Sequence, residues 1–387
     1  MTSQTPLAPP AGLAPAQFMR EYWQRKPLLI RQAFDMPEPP LSKETLGGLA
    51  CEEDVTSRIV QEHHPDAPWK LDLGPFDAEF FAALPESHWT LLVSDCEKLL
   101  PELRTLVEPF RFIPDWRIDD LMISYATDGG SVGPHTDDYD VFLIQLDGVR
   151  EWQINSVVDH ADIIDDIDLR ILKSFQAEHS WRLEPGDMLY LPPRVAHYGI
   201  ARGECMTASV GFRAPSWREI LQGYLDEIIM RIPEDLRYSD SGMPPQQHPA
   251  EIRPDAIARF RQIIEDNLRL DDAALQSWIG KFVTEPKTEP PMDDEPPAMT
   301  QAAFSAALLS SQPLRRNPHA RCAWTRDKHT ATMFVDGQAW ELPIHLLQDI
   351  QQLTAEAVTT GDAYDAEFHP VLYELYRAEV LAFDDHD

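Results

Sequence analysis

Apolar residues in this chain follow two rhythms. Between residues 116 and 212 they come in short runs cut by turn residues: 121–125, 141–146, 151–154, 181–183, 188–191 and 207–212. Runs of this length bounded by Gly, Pro and Asp predict strands. Asp147-Gly148 predicts a two-residue hairpin, with 151–154 as the returning strand. Glu184-Pro185-Gly186-Asp187 predicts a turn, and Pro192-Pro193 a strand stop. So many short strands at this spacing predict an antiparallel sandwich or barrel of the jelly-roll kind.

Elsewhere the rhythm is helical. Phe18, Tyr22 and Trp23 share a helix face that Pro27 breaks before a short strand at Leu28-Leu29-Ile30. Residues 41–49 and 97–107 predict helices, and 89–93 a strand. Beyond Pro215, Ile220, Tyr224 and Ile228 line one helix, and Ile257, Phe260, Ile264 and Leu268 another. The proline-rich, acidic stretch 284–300 has no core-forming residues and predicts a linker. After it, helices at 303–308, 343–357 and 371–381 alternate with strands at 322–326, 332–335 and 339–342, a winged-helix-like pattern. The chain therefore divides into a strand-rich domain over 1–215, a helical region over 216–283, the linker, and a small domain over 301–387. The fold class is α+β.

Charge narrows the function. A formal net charge of −32 works against binding nucleic acid through its phosphates and favours a basic partner. Cys51, Cys96, Cys205 and Cys322 are scattered, which predicts neither a disulfide framework nor a thiolate metal site and fits a reducing compartment. No apolar run is long enough to cross a bilayer, and residues 1–15 lack a signal-peptide pattern. A cytoplasmic protein is the expectation.

The candidate chemistry starts at Gly133-Pro134-His135-Thr136-Asp137. In an extended segment, residues i and i+2 point to the same side, so His135 and Asp137 present an imidazole and a carboxylate together. His197, ending another strand after the Pro-Gly-Asp turn and the Pro-Pro stop, would complete a two-histidine, one-carboxylate face. That donor set suits ferrous iron in oxygen chemistry. Arg150 closes the expected hairpin. Directed inward it would be a buried charge needing a carboxylate-bearing ligand, and directed outward an ordinary solvated residue. Ser124 and Thr207 on neighbouring strands would add hydroxyl donors to such a ligand. Tyr139 and Asp138 flank the metal motif and are candidate substrate contacts.

Several segments together resemble a known family: residues 22–30, His135-Thr136-Asp137, residues 145–152, residues 184–193, His197-Tyr198-Gly199 and residues 210–215. The family is the JmjC-type (cupin) 2-oxoglutarate oxygenases, in particular the bacterial ribosomal oxygenases. The resemblance implies a double-stranded β-helix catalytic domain, a helical dimerisation segment and a winged-helix-like C-terminal domain. It implies Fe(II) on His135, Asp137 and His197, with O2 and 2-oxoglutarate as cosubstrates. Arg150 would hold the distal carboxylate of 2-oxoglutarate, with Ser124 assisting. Thr207 stands where the bacterial relatives tend to carry asparagine. The implied reaction is hydroxylation of a ribosomal protein, at the β-carbon of an arginine in the sixteenth protein of the large subunit, by a homodimer. Two rival readings remain: a winged-helix transcription regulator with a ligand-sensing cupin, and a metal cupin without oxygenase activity.

Overall fold

The computed structural model describes residues 13–383 except 66, 158–161, 166, 168, 288–298 and 311. Most of the expected linker and part of the acidic loop at 159–168 lie outside the described residues. The chain folds as two units, Met1–Ala214 and Pro215–Asp387.

In the first unit, the strands are β1 (Leu28–Ile30), β2 (Ser57–His64), β3 (Ala67–Leu73), β4 (Trp89–Val93), β5 (Ile118–Ala126), β6 (Asp140–Asp147), β7 (Arg150–Asn155), β8 (His179–Leu183), β9 (Met188–Leu191), β10 (Ala196–Ala201) and β11 (Cys205–Phe212). They form an eight-stranded sheet in the order β1-β9-β6-β11-β5-β4-β2-β3 and a three-stranded sheet, β10-β7-β8, with every pairing antiparallel. This is a jelly roll. Its outer face carries α1 (Pro15–Glu21), α2 (Lys43–Leu49), α3 (Ala78–Ala83) and α4 (Cys96–Leu99). The alternation along β6 shows how one apolar run serves two cores. Phe142, Ile144 and Leu146 pack outward under the N-terminal helices. Val141 and Leu143 pack inward with Trp152 and Ile154 of the small sheet.

The fold corrects two local expectations and adds one element that the sequence does not signal. Asp147-Gly148 does not close a hairpin: β6 pairs with β9 and β11, and β7 with β8 and β10. It is the corner where the chain crosses between sheets. Gly148 makes that corner with φ +61°, and a Cβ there would lie 2.1 Å from the Glu204 carbonyl oxygen. A positive φ and close backbone approach serve a corner as well as a two-residue loop, so local sequence alone cannot separate them. The helix expected over 97–107 stops at Leu99 and continues as a 3-10 turn over Pro101–Leu106, because Pro101 has no N–H to donate. The hairpin of β2 and β3 was not foreseen.

The second unit contains α5 (Trp217–Arg231), α6 (Pro254–Asn267), α7 (Asp272–Thr284) and α8 (Gln301–Leu309). Then come β12 (Pro313–Arg316), β13 (Cys322–Arg326), β14 (Thr330–Val335), β15 (Gln338–Pro343), α9 (Leu347–Ala355), β16 (Val358–Thr360), α10 (His369–Arg377) and β17 (Leu381–Phe383). The expected last helix ends early, and Leu381 instead joins a sheet of order β16-β12-β17. Among the described residues, no helix is long and apolar enough to cross a membrane.

The Phe142 ring anchors the outer core. Phe110, Tyr190, Phe18 and Phe212 surround it at centroid distances of 4.3, 4.9, 5.5 and 5.5 Å. Phe142→Ala is expected to destabilise this unit by about 3–5 kcal/mol, read from the urea midpoint by circular dichroism.

Candidate metal centre

His135 and His197 form an isolated antiparallel bridge. Each N–H donates to the other's carbonyl, at 3.0 and 2.9 Å. Their backbones are thus tied to each other by main-chain bonds alone. His197 is not at a strand end as expected; it is the second residue of β10. The chain leaves β9 through Pro192-Pro193 and turns at Arg194, which takes φ 66°. The Arg194 N–H then donates to the Asp137 carbonyl at 2.7 Å. One short turn therefore supplies His197 and pins Asp137.

The three side chains converge. One donor atom from each of His135, Asp137 and His197 lies within 4.8 Å of the others. The Asp137 carboxylate is 4.0 Å from His135 Nε2 and 3.6 Å from His197 Nε2. His135 Nδ1 donates to the Gly133 carbonyl at 2.9 Å, and His197 Nδ1 to the Val195 carbonyl at 3.0 Å. These bonds put the proton on Nδ1 in both rings and turn the Nε2 lone pairs toward the cluster, the tautomer a metal requires. Burial, and next the neighbouring His135, hold His197 down at about 4 against the opposing pull of Asp137. The imidazole is therefore neutral at physiological pH. Two imidazoles and one carboxylate on one side fit a divalent iron centre with open positions.

Arg150 is 4% exposed at the start of β7. Its Nη1 donates to Ser124 Oγ at 3.1 Å and to Thr207 Oγ1 at 3.4 Å. Nε is buried with no partner, and no carboxylate forms an ion pair with the guanidinium among the described residues. Burial pulls its pKa below the usual arginine value. A sealed cation with an unused donor edge demands an anionic ligand. The two hydroxyls bracket the guanidinium. Ser124 Oγ donates to the Thr207 carbonyl at 3.3 Å, and Thr207 Oγ1 to Gln145 Oε1 at 3.1 Å. Both oxygens thus accept from Arg150, and neither proton is directed at a shared ligand. Trp152 links the two halves of the site, its ring 5.4 Å from the Arg150 guanidinium and 5.9 Å from the His197 ring.

At the mouth, Asp138 is exposed. Tyr139 keeps 43% of its surface. Its hydroxyl end is crowded by protein and faces the Asp137 and Asp120 carboxylates, which together push the phenol well above its ordinary range. Asp140 is no part of the mouth: it is fully buried and receives hydrogen bonds from Tyr190 and Gln24. Sequence reasoning passed over Gln145. The signal was present, a lone amide in an otherwise apolar strand.

Comparison with known proteins follows the same outline. A JmjC domain family model matches residues 105–220, and a ROXA-like winged helix model matches residues 264–382. The ribosomal protein uL16 3-hydroxylase of Escherichia coli K12 is 38% identical over 280 residues, 72% of this chain and 73% of that protein. A probable ribosomal oxygenase of Haemophilus influenzae is 35% identical, across 68% of this chain and 66% of that protein. A solved structure of YcfD, a ribosomal oxygenase from Escherichia coli, in complex with cobalt and 2-oxoglutarate superposes with a TM-score of 0.80 at 31% identity, covering 96% of this chain and 99% of that one.

The depressed pKa of His197 has a consequence for the metal-free protein. Unfolded, the imidazole binds a proton near 6.5; folded, it does so only near 4. Between those values the unfolded state holds more protons, so His197 costs stability as the pH falls through that window. Thermal melts of the metal-free protein are expected to show Tm falling more steeply from pH 6.5 to pH 4 in the wild type than in His197→Gln.

Proposed function

The chain belongs to the JmjC-type ribosomal oxygenases, which depend on iron(II), 2-oxoglutarate and O2, and from that membership we propose that it hydroxylates the β-carbon of an arginine in ribosomal protein uL16. The relative named for uL16 3-hydroxylation, 38% identical across most of both chains, carries this reading. His135, Asp137 and His197 hold the iron. Arg150 takes the distal carboxylate of 2-oxoglutarate on its unused donor edge, held in place by Ser124 and Thr207. Bound iron supplies the chemistry that couples oxidative decarboxylation of 2-oxoglutarate to hydroxylation of a C–H bond. The chain's own residues position the reactants, keep the imidazole lone pairs free, and wall the site with Trp152 and the apolar interior.

Charge supports a basic substrate. A protein of net charge −32 attracts a ribosomal protein over long range, and the exposed Asp138 stands beside Tyr139, whose hydroxyl end also has Asp120 and Arg58 near it. Tyr139 offers a face against which a guanidinium stacks, with carboxylates beside it. Asp138 is the outer contact. A cytoplasmic location accords with such a partner. Mass spectrometry of ribosomal proteins is expected to show a gain of one oxygen on uL16 in cells with this gene, absent from cells without it and from cells carrying His135→Ala. An unmodified uL16 in the wild type would reject the assignment.

The helical region supports a homodimer. On α5 the expected stripe Ile220, Tyr224 and Ile228 turns inward or is partly covered. A second stripe, Trp217, Leu221, Leu225 and Ile229, is exposed, with Trp217 at 85% and Ile229 at 62%. On α6, Phe260 and Ile264 are more than half exposed. An apolar surface of this extent is unusual on a monomer. Sedimentation equilibrium is expected to give the mass of two chains, and Leu221→Glu to shift it to one.

A further inference from the structure

We infer that Gln145 is the positioning residue that sets Arg150 for the cosubstrate carboxylate, acting through Thr207. This rests on the reading of Arg150 as the 2-oxoglutarate anchor. Ser124, Thr207 and Gln145 sit side by side on three neighbouring strands: Thr207 pairs with Ser124 across β5 and with Gln145 across β6. All three are buried, and Gln145 has no exposed surface. Its amide has only one orientation that satisfies both ends. Nε2 donates to the Asp147 carbonyl at 2.8 Å, so Oε1 is left facing Thr207. Thr207 has one proton, and Oε1 takes it at 3.1 Å. The hydroxyl is thereby left with lone pairs toward Arg150 Nη1. Ser124 is committed in the same sense, its proton on the Thr207 carbonyl and its lone pair on Nη1.

The result is a guanidinium gripped at Nη1 by two acceptors whose directions are fixed. Nε keeps no protein partner. The grip leaves the Nε side of the fork for a carboxylate, which binds a planar guanidinium in two-point fashion. Without the Gln145 acceptor, the Thr207 hydroxyl is free to turn its proton toward an N–H, and one of the two acceptors is lost. The main-chain bonds of Gln145 to Asp187 and Gly186 do not depend on its side chain, so a substitution tests the amide and leaves the strand pairing in place.

The test uses the full-length protein loaded with Mn(II), in which 2-oxoglutarate binds without turnover. Calorimetry gives the Kd for 2-oxoglutarate and, separately, for Mn(II), in wild type, Gln145→Met, Thr207→Val and the double variant. Gln145→Met is expected to raise the 2-oxoglutarate Kd about tenfold, the order expected for one lost acceptor on a charged group, with Mn(II) affinity changed less than about twofold. With iron, KM for 2-oxoglutarate rises while kcat changes far less. The double variant is expected to bind no more weakly than Thr207→Val, since both remove the same relay. If Gln145→Met does not fold, Gln145→Asn, whose amide is too short to reach, is expected to give the same rise. An unchanged Kd, a parallel loss of Mn(II) affinity, or effects that multiply in the double variant would each overturn the inference. Arg150→Ala separates the two levels. Lost 2-oxoglutarate binding there alongside unchanged binding in Gln145→Met overturns the role of Gln145 alone. Unchanged binding in Arg150→Ala overturns the cosubstrate assignment, and the role of Gln145 with it.

Discussion

A positive charge enclosed in a jelly roll, with no negative partner among the described residues, is the constraint that orders this molecule. Arg150 is 4% exposed, its Nη1 is held by two hydroxyls, and its Nε has no partner. Such a group is costly to bury unless something regularly arrives to neutralise it. The histidine and aspartate cluster lies on the same inner surface, joined to the arginine through the Trp152 ring. A small anion that also chelates a metal satisfies both at once. The jelly roll brings these groups together because its two sheets face each other, so Arg150 of the small sheet meets Ser124 and Thr207 of the large one.

Much of this was legible in the sequence because the signals were local. His135 and Asp137 are two residues apart in an extended segment, and i, i+2 geometry puts them on one side whatever the rest of the fold does. Prolines were read less well: α1 ends at Glu21, before Pro27, and Pro101 stops a helix expected to run on to 107. The strands β5 to β9 and β11 announced themselves as short apolar runs between turns, whereas β10, which carries His197, did not. His197 was found because it followed two turn signals, although its place within β10 was misjudged: a strand one residue into its course is indistinguishable from a loop by composition.

What stayed hidden depends on pairing partners, which one chain does not display. Asp147-Gly148 has the chemistry of a hairpin, and only the register of β6 against β9 and β11 reveals a corner between sheets. The β2–β3 hairpin lies in a stretch where His63-His64 and Asp72 interrupt the apolar alternation. The hydroxyls of Ser124 and Thr207 were recognised, but the Thr207 proton is directed by Gln145 and the Ser124 proton by the Thr207 carbonyl, partners distant in sequence. On α5, periodicity found a stripe facing inward and missed the wider one left outside, because a helix that is apolar on two faces gives a weak preference for either.

The bridge between His135 and His197 carries a further implication. Two of the three metal donors are tied by a reciprocal pair of backbone hydrogen bonds, and the third is anchored by its own carbonyl to the turn just before the second. The entropy of assembling the cluster is therefore spent during folding rather than when the ion arrives. A cradle tied together by its own main chain leaves little ordering to be done when the ion binds, so the affinity is set by the donors rather than by their assembly.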